Sequence, residues 1–245
     1  MIKLGKVTLG GTPRIVVGFN DRTSAAVLAG LKKSGLDIAE LRIDQYASFK
    51  TWHVLEQIAR FRYFSTIATI RSKKEGGCWT LSESARLQLF ETVIPKVNAV
   101  DIELSAKEIL PRIVKSAHKA KKLAVVSYHD FKQTPDARSL LKILKKAKMA
   151  GADIVKIAVM AVKKGDLQTL AAFTIAHASQ NIVTIAMGPA GIASRILFPA
   201  LGSLMTYACL SEPIAPGQLN YEATRQCLRI FYPAFNRRKS HNKKG

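Results

Sequence analysis

The chain has 245 residues, 48% of them hydrophobic, and a formal net charge of +21. That length and apolar content support one large buried core. No run approaches the ~20 apolar residues that a membrane span needs, and three scattered cysteines give neither a disulfide framework nor a Cys-x-x-Cys pair, as expected in a reducing cytoplasm. The opening Met1-Ile2-Lys3-Leu4-Gly5-Lys6 lacks the apolar stretch of a secretory signal. The positive charge favours anionic partners, but it comes with no zinc-finger, basic-zipper or base-stacking signature, so no dedicated nucleic-acid binding is expected. Residues 236–245 form a basic tail expected to be disordered; its five basic residues still leave +16 in the rest of the chain.

In chain order, residues 3–13 predict a small hairpin around Gly10-Gly11, and residues 14–19 a first buried strand. A helix over 23–34, stopped by Gly35, and a strand over 37–42 follow. Further strands are expected over 65–70, 99–104, 123–127, 153–160, 182–187 and 204–209. The intervening helices fall at 49–61, 82–93, 106–119, 136–149, 166–179 and 191–197, with a last one over 220–232. Strand and helix alternate eight times without a linker or a shift in composition. Such alternation predicts a parallel sheet, and eight units in this length fit a closed (β/α)8 TIM barrel, an α/β fold, as one domain over 1–235. No Gly-x-Gly-x-x-Gly follows the first strand and no Gly-x-x-x-x-Gly-Lys occurs, so nothing supports a nucleotide cofactor.

The strand over 153–160 is apolar except for Lys156. Strand alternation puts Ile154, Lys156 and Ala158 on one face and Val155, Ile157 and Val159 on the other. An ammonium buried among apolar side chains is costly unless it is paired or loses its proton, and a neutral lysine amine is a nucleophile toward carbonyls. A lysine reaching water, or paired with Asp153, is the structural alternative.

In a barrel of this kind, the site lies at the C-terminal ends of the strands. The polar residues there are Glu40 and Arg42 (second strand), Arg71 (third), Asp101 and Glu103 (fourth), His129 (after the fifth), Lys156 (sixth), Arg195 (after the seventh) and Gln218 (eighth loop). Each alone has a structural reading: Glu40 with Arg42 as a strand-end ion pair, the arginines as surface cations, His129 as a packed ring. Taken together, an amine, an imidazole, guanidiniums and carboxylates suit imine formation, proton transfer next to the former carbonyl, and an anionic substrate. No carboxylate set with metal-ligand character is evident, so no metal is expected.

These residues stand in Glu40-Leu41-Arg42-Ile43-Asp44, Arg71-Ser72-Lys73-Lys74-Glu75-Gly76-Gly77, Asp101-Ile102-Glu103-Leu104, Ser127-Tyr128-His129-Asp130-Phe131, Asp153-Ile154-Val155-Lys156-Ile157-Ala158 and Ala215-Pro216-Gly217-Gln218. In that order, across nearly the whole chain, they resemble the type I 3-dehydroquinate dehydratases of the shikimate pathway. The resemblance implies a cytoplasmic homodimer that needs no cofactor. Its reaction is the syn elimination of water from 3-dehydroquinate through a Schiff base on Lys156, giving 3-dehydroshikimate. By the same resemblance His129 moves the proton, Glu75 or Glu103 orients it, Arg195 binds the substrate carboxylate, and Glu40, Arg42, Arg71 and Gln218 hold ring hydroxyls. Two positions depart from the family pattern. Gly18 ends the first strand where a hydroxyl residue is common, and Ile214 stands four residues before Gln218 where Ser or Thr is usual; each departure would forfeit a substrate hydrogen bond of about 0.5–1.5 kcal/mol. The nearest alternative, another lysine-imine barrel such as a class I aldolase, calls for a phosphate-binding glycine loop. Gly188-Pro189-Ala190-Gly191 is a weak candidate for one, and Ala215-Pro216-Gly217-Gln218 argues against it.

Overall fold

The computed structural model describes residues 1–210 and 215–236. Ile214 and all of the basic tail beyond Asn236 therefore lie outside the described residues. A hairpin, β1 (Lys3–Leu4) and β2 (Val7–Thr8), precedes eight barrel strands: β3 (Ile15–Phe19), β4 (Ile38–Arg42), β5 (Ser65–Thr69), β6 (Ala99–Glu103), β7 (Leu123–Asp130), β8 (Ile154–Met160), β9 (Ile182–Met187) and β10 (Thr206–Ala208). The helices are α1 (Ala25–Ser34), α2 (Thr51–Ala59), α3 (Glu83–Val93), α4 (Leu110–Lys119), α5 (Ala137–Met149), α6 (Lys164–Ala176), α7 (Ser194–Leu197), α8 (Tyr221–Phe231) and α9 (Pro233–Asn236).

The barrel strands are all parallel, in the order β10-β3-β4-β5-β6-β7-β8-β9. The seam between β9 and β10 closes without a regular ladder: Leu204 N donates to the Ile182 carbonyl at 2.9 Å, and the Ser203 hydroxyl accepts from Thr184 N at 3.1 Å. Helix starts follow local chemistry. Ser24, Ser82, Asp136 and Asn220 each accept from the backbone N–H three residues on, satisfying a donor that the first turn leaves open. Gly35 ends α1 at φ 80°, a conformation that costs other L residues strain.

Strand alternation divides the core into two layers. Val17, Ala39, Leu41, Val155, Ile157 and Val159 point outward and pack under the helices. Val16, Ile38, Ile67, Ala99, Val125 and Ile154 point inward and fill the N-terminal half of the barrel, where Leu4 and Leu9 of the hairpin plug it from below. Many inward positions of the C-terminal half are polar instead, Glu40, Arg42, Thr69, Asp101, Glu103, Ser127 and Lys156, all buried, beside the apolar Ala158, Ile185 and Met187.

Several element boundaries differ from the sequence expectation by two to four residues, and two of them have a consequence or a cause in the sequence. β7 runs to Asp130, so His129 lies inside the strand, paired in register with Ala158, rather than following it. α4 begins at Leu110 instead of residue 106, because Pro111 lacks an N–H and fits only the first turn.

Candidate active site

The polar half of the barrel opens into a cavity lined by Glu40, Arg42, Arg71, Glu75, His129, Lys156, Arg195, Tyr207 and Gln218 among others. Lys156 sits on the inward face of β8. It is not surrounded by apolar side chains, as expected, nor paired with Asp153. Its Nζ lies 3.0 Å from Asp101 Oδ2 and 3.6 Å from Glu40 Oε1. Asp153 instead accepts from Ala124 N and meets His118 on the outside. Glu40 pairs with Lys156 and accepts from the Thr69 hydroxyl, so it forms no strand-end pair with Arg42. Arg42 makes a bidentate pair with Asp44 at 3.0 and 2.8 Å, leaving its guanidinium fixed at the cavity wall.

Asp101 is the hub. Its Oδ1 accepts from Arg71 Nη2 at 2.7 Å and from the Ser127 hydroxyl at 2.6 Å. Burial alone would push this acid up, but the charges of Arg71 and then Lys156 outweigh it and hold Asp101 far below the usual carboxylate range. Arg71 is held in place by its own loop. A Cβ on Gly77 would stand 2.1 Å from the Arg71 carbonyl oxygen, so only glycine lets the turn fold back over it.

His129 points into the same cavity from β7. The register Ser127↔Lys156 and His129↔Ala158 sets it two residues beyond the lysine on the neighbouring strand, about 6.6 Å along the strand. Its Nδ1 lies 2.9 Å from Glu75 Oε2, and that oxygen also accepts the His129 backbone N–H at 3.0 Å. The oxygen is thus an acceptor, so Nδ1 carries the proton and Nε2 presents its lone pair to the cavity. Burial, reinforced by the charges of Arg71 and Lys156, depresses the imidazole well below its ordinary value, which keeps the ring neutral. Phe131 stacks on it with ring centroids 6.3 Å apart.

Of the two carboxylates considered for orienting His129, Glu75 makes the contact and Glu103 does not. Glu103 accepts from Ser72 N at 2.8 Å and from Arg86 of α3, and does not line the cavity. Arg86 is itself 1% exposed and donates to the Ile70 carbonyl at 2.7 Å. Glu103 and Arg86 therefore clamp the loop that carries Arg71 and Glu75. Removing Arg86 would leave the buried Glu103 carboxylate with only Ser72 N and the longer contact to Arg71 Nη1 at 3.4 Å. Arg86→Ala is expected to lose about 3–5 kcal/mol of stability, read from the urea midpoint, whereas a loss under 1 kcal/mol would deny the clamp.

Arg195 of α7 is 2% exposed, and its Nε has no hydrogen-bond partner. Its Nη2 reaches the Pro216 carbonyl at 3.4 Å, and no carboxylate among the described residues pairs with it. Burial pulls this guanidinium down to about 10, so an arriving anion would be strongly favoured there. Gln218 lines the cavity and accepts from Ala215 N through Oε1 at 3.3 Å. In the glycine loop after β9 the Gly188 N–H is spent on the Pro216 carbonyl and the Gly191 N–H on the Gly188 carbonyl, so neither glycine amide is open to a phosphate. Gly18 pairs in register with Glu40, but without a side chain it does not line the cavity. The sequence reading missed Ser105, which donates to Glu75, and Tyr207, whose ring lies under Lys156. Among the described residues no cluster of His, Cys, Asp and Glu is arranged to hold a metal, and no helix is long and apolar enough to cross a membrane.

A family model described as type I 3-dehydroquinase matches residues 15–234. The chain is 35% identical over 234 residues to the 3-dehydroquinate dehydratase of Methanococcoides burtonii, covering 94% of this chain and 99% of that one. It is 34% identical over 213 residues to that of Thermodesulfovibrio yellowstonii, covering 86% and 92%. Among solved structures, the 3-dehydroquinate dehydratase of Geobacillus kaustophilus is similar at a TM-score of 0.86 and 28% identity, covering 94% of this chain and 95% of that one. The type I enzyme of Clostridium difficile, solved with covalently modified comenic acid, is similar at a TM-score of 0.87 and 27% identity, covering 95% and 98%. The matched span runs from the first barrel strand into the C-terminal helix and takes in every cavity residue named above, and on that ground the chain belongs to the type I 3-dehydroquinase family.

Proposed function

We propose that this chain dehydrates 3-dehydroquinate to 3-dehydroshikimate through an imine on Lys156. The observation that carries the reading is the placement of Lys156 and of His129, held by Glu75, on adjacent strands of one cavity. Lys156 gives up a proton, its amine adds to the ring ketone, and water leaves as C=N forms. His129 Nε2 then takes the proton from the neighbouring carbon, and the electron pair moves onto nitrogen as an enamine. The pair returns as the C–O bond one carbon further on breaks, with the His129 proton going to the departing hydroxyl. Hydrolysis of the imine consumes the water released at the start, so one water is lost overall and the amine is restored.

The surrounding residues supply position and charge. Arg195 offers a buried guanidinium with no carboxylate partner among the described residues, suited to the substrate carboxylate. Glu40, Arg42, Arg71 and Gln218 stand around the ring and fix its pose. With Gly18 off the cavity wall, substrate hydroxyls depend more heavily on these four.

Borohydride added to protein and 3-dehydroquinate is expected to fix substrate mass on the peptide containing Lys156. Peptide mass spectrometry that finds no adduct, or finds it on another lysine, overturns the imine. The same family reading supports a cytoplasmic homodimer, tested by light scattering as twice the chain mass.

A further inference from the structure

Tyr207, on β10, points into the barrel and lines the cavity floor. The Lys156 Nζ lies 4.3 Å from its ring centroid. That ammonium is therefore contacted from three directions, by Asp101, by Glu40 and by an aromatic face. An aromatic face attracts a cation, more so away from water, and here the ring is 5% exposed. The Tyr207 hydroxyl is buried and has no hydrogen-bond partner. A buried phenol left unpaired costs stability, and such a group stands out unless another state of the site uses it.

Resting on the imine reading above, the change of state is identifiable. To reach a substrate carbon, Nζ must leave Asp101 and Glu40, and each carboxylate then loses a donor. We infer that Tyr207 is a positioning residue for Lys156. Its ring seats the resting ammonium between the two carboxylates, and its hydroxyl is the donor that replaces Nζ when the lysine is bound to substrate. Burial, with added effect from the charges of Glu40 and Asp101, raises the phenol well above its ordinary value, so it remains a donor throughout the working pH range.

Two variants separate ring from hydroxyl. Tyr207→Phe keeps the ring and removes the orphan. It is expected to raise Tm by about 2–4 °C, to lower kcat about 5–10-fold with little change in KM, and to leave the pH midpoint of borohydride trapping in place. Tyr207→Leu, or Tyr207→Met if the leucine variant does not fold, removes the face that favours the protonated amine. Its trapping midpoint is expected to move to lower pH by about half to one unit. An unmoved midpoint in that variant overturns the seat. A Tyr207→Phe protein with unchanged kcat, or with a lower Tm, overturns the replacement donor. Wild-type protein that gives no Lys156 adduct defeats the imine reading itself and this inference with it, whereas a normal wild-type adduct with unaltered variants defeats this inference alone.

Discussion

Lys156→Met is expected to abolish turnover, by at least about 10⁴-fold, while the protein still folds and binds substrate. Methionine is an unbranched side chain like lysine. It preserves the volume of the lysine stem in the barrel and removes only the amine. Asp101 retains Arg71 at 2.7 Å and Ser127 at 2.6 Å, and Glu40 retains the Thr69 hydroxyl at 2.9 Å. Neither carboxylate is stripped bare, so the loss of stability should be about 1–3 kcal/mol, below the cost of orphaning a buried charge. Arg195 is untouched, and ground-state binding through the substrate carboxylate should survive. Without the imine, His129 would have to draw a proton from next to an ordinary ketone, with no nitrogen to take the electron pair. The new double bond is conjugated, so product absorbance follows turnover, and calorimetry follows binding. A variant that keeps even a hundredth of wild-type turnover would mean that the reaction does not pass through this amine.

Much of the architecture was legible because it depends on local pattern. Alternation alone put Ile154, Lys156 and Ala158 on one face, and these are the inward residues of β8. Regular strand–helix alternation implied the parallel barrel, whose C-terminal end then gathered the polar residues. What could not be read was pairing across strands. Asp101 meets Lys156 only through the registers of β6, β7 and β8, and nothing near position 156 specifies that partner. The choice between Glu75 and Glu103 was likewise tertiary. It turns on Arg86, a helical residue that looks solvent-facing in sequence, reaching under the loop to take Glu103. The partner of Arg42 was hidden for a similar reason: after β4 the chain turns so that Asp44, two residues on, and not Glu40, meets the guanidinium. Tyr207 gave no signal, since an aromatic in a short buried strand is ordinary core until a lysine is found above it.

His129→Ala is expected to separate the two halves of the reaction, with imine trapping on Lys156 retained and turnover lowered about 10²–10⁴-fold, the usual range for a lost general acid–base. The wild-type pH profile should carry the same signature. Burial and the nearby cations hold His129 well below 6.5, so the acid limb of kcat should fall below pH 6.5. Glu75 works through His129: Glu75→Ala leaves Nδ1–H and the backbone N–H without their acceptor, so the ring loses its fixed tautomer, and turnover should fall with little change in KM. Stability gives an independent reading of the same group. Because the folded-state value is depressed, the unfolded chain takes up a proton near pH 6.5 that the folded chain refuses. Stability owed to His129 is therefore intact above pH 6.5 and is lost as pH falls from there toward the folded-state value. His129→Ala removes that loss, so the difference in urea midpoint between variant and wild type should shift in favour of the variant across that window and stay flat above it. A constant difference across the window would mean that the folded chain does not depress the imidazole below its unfolded-chain value.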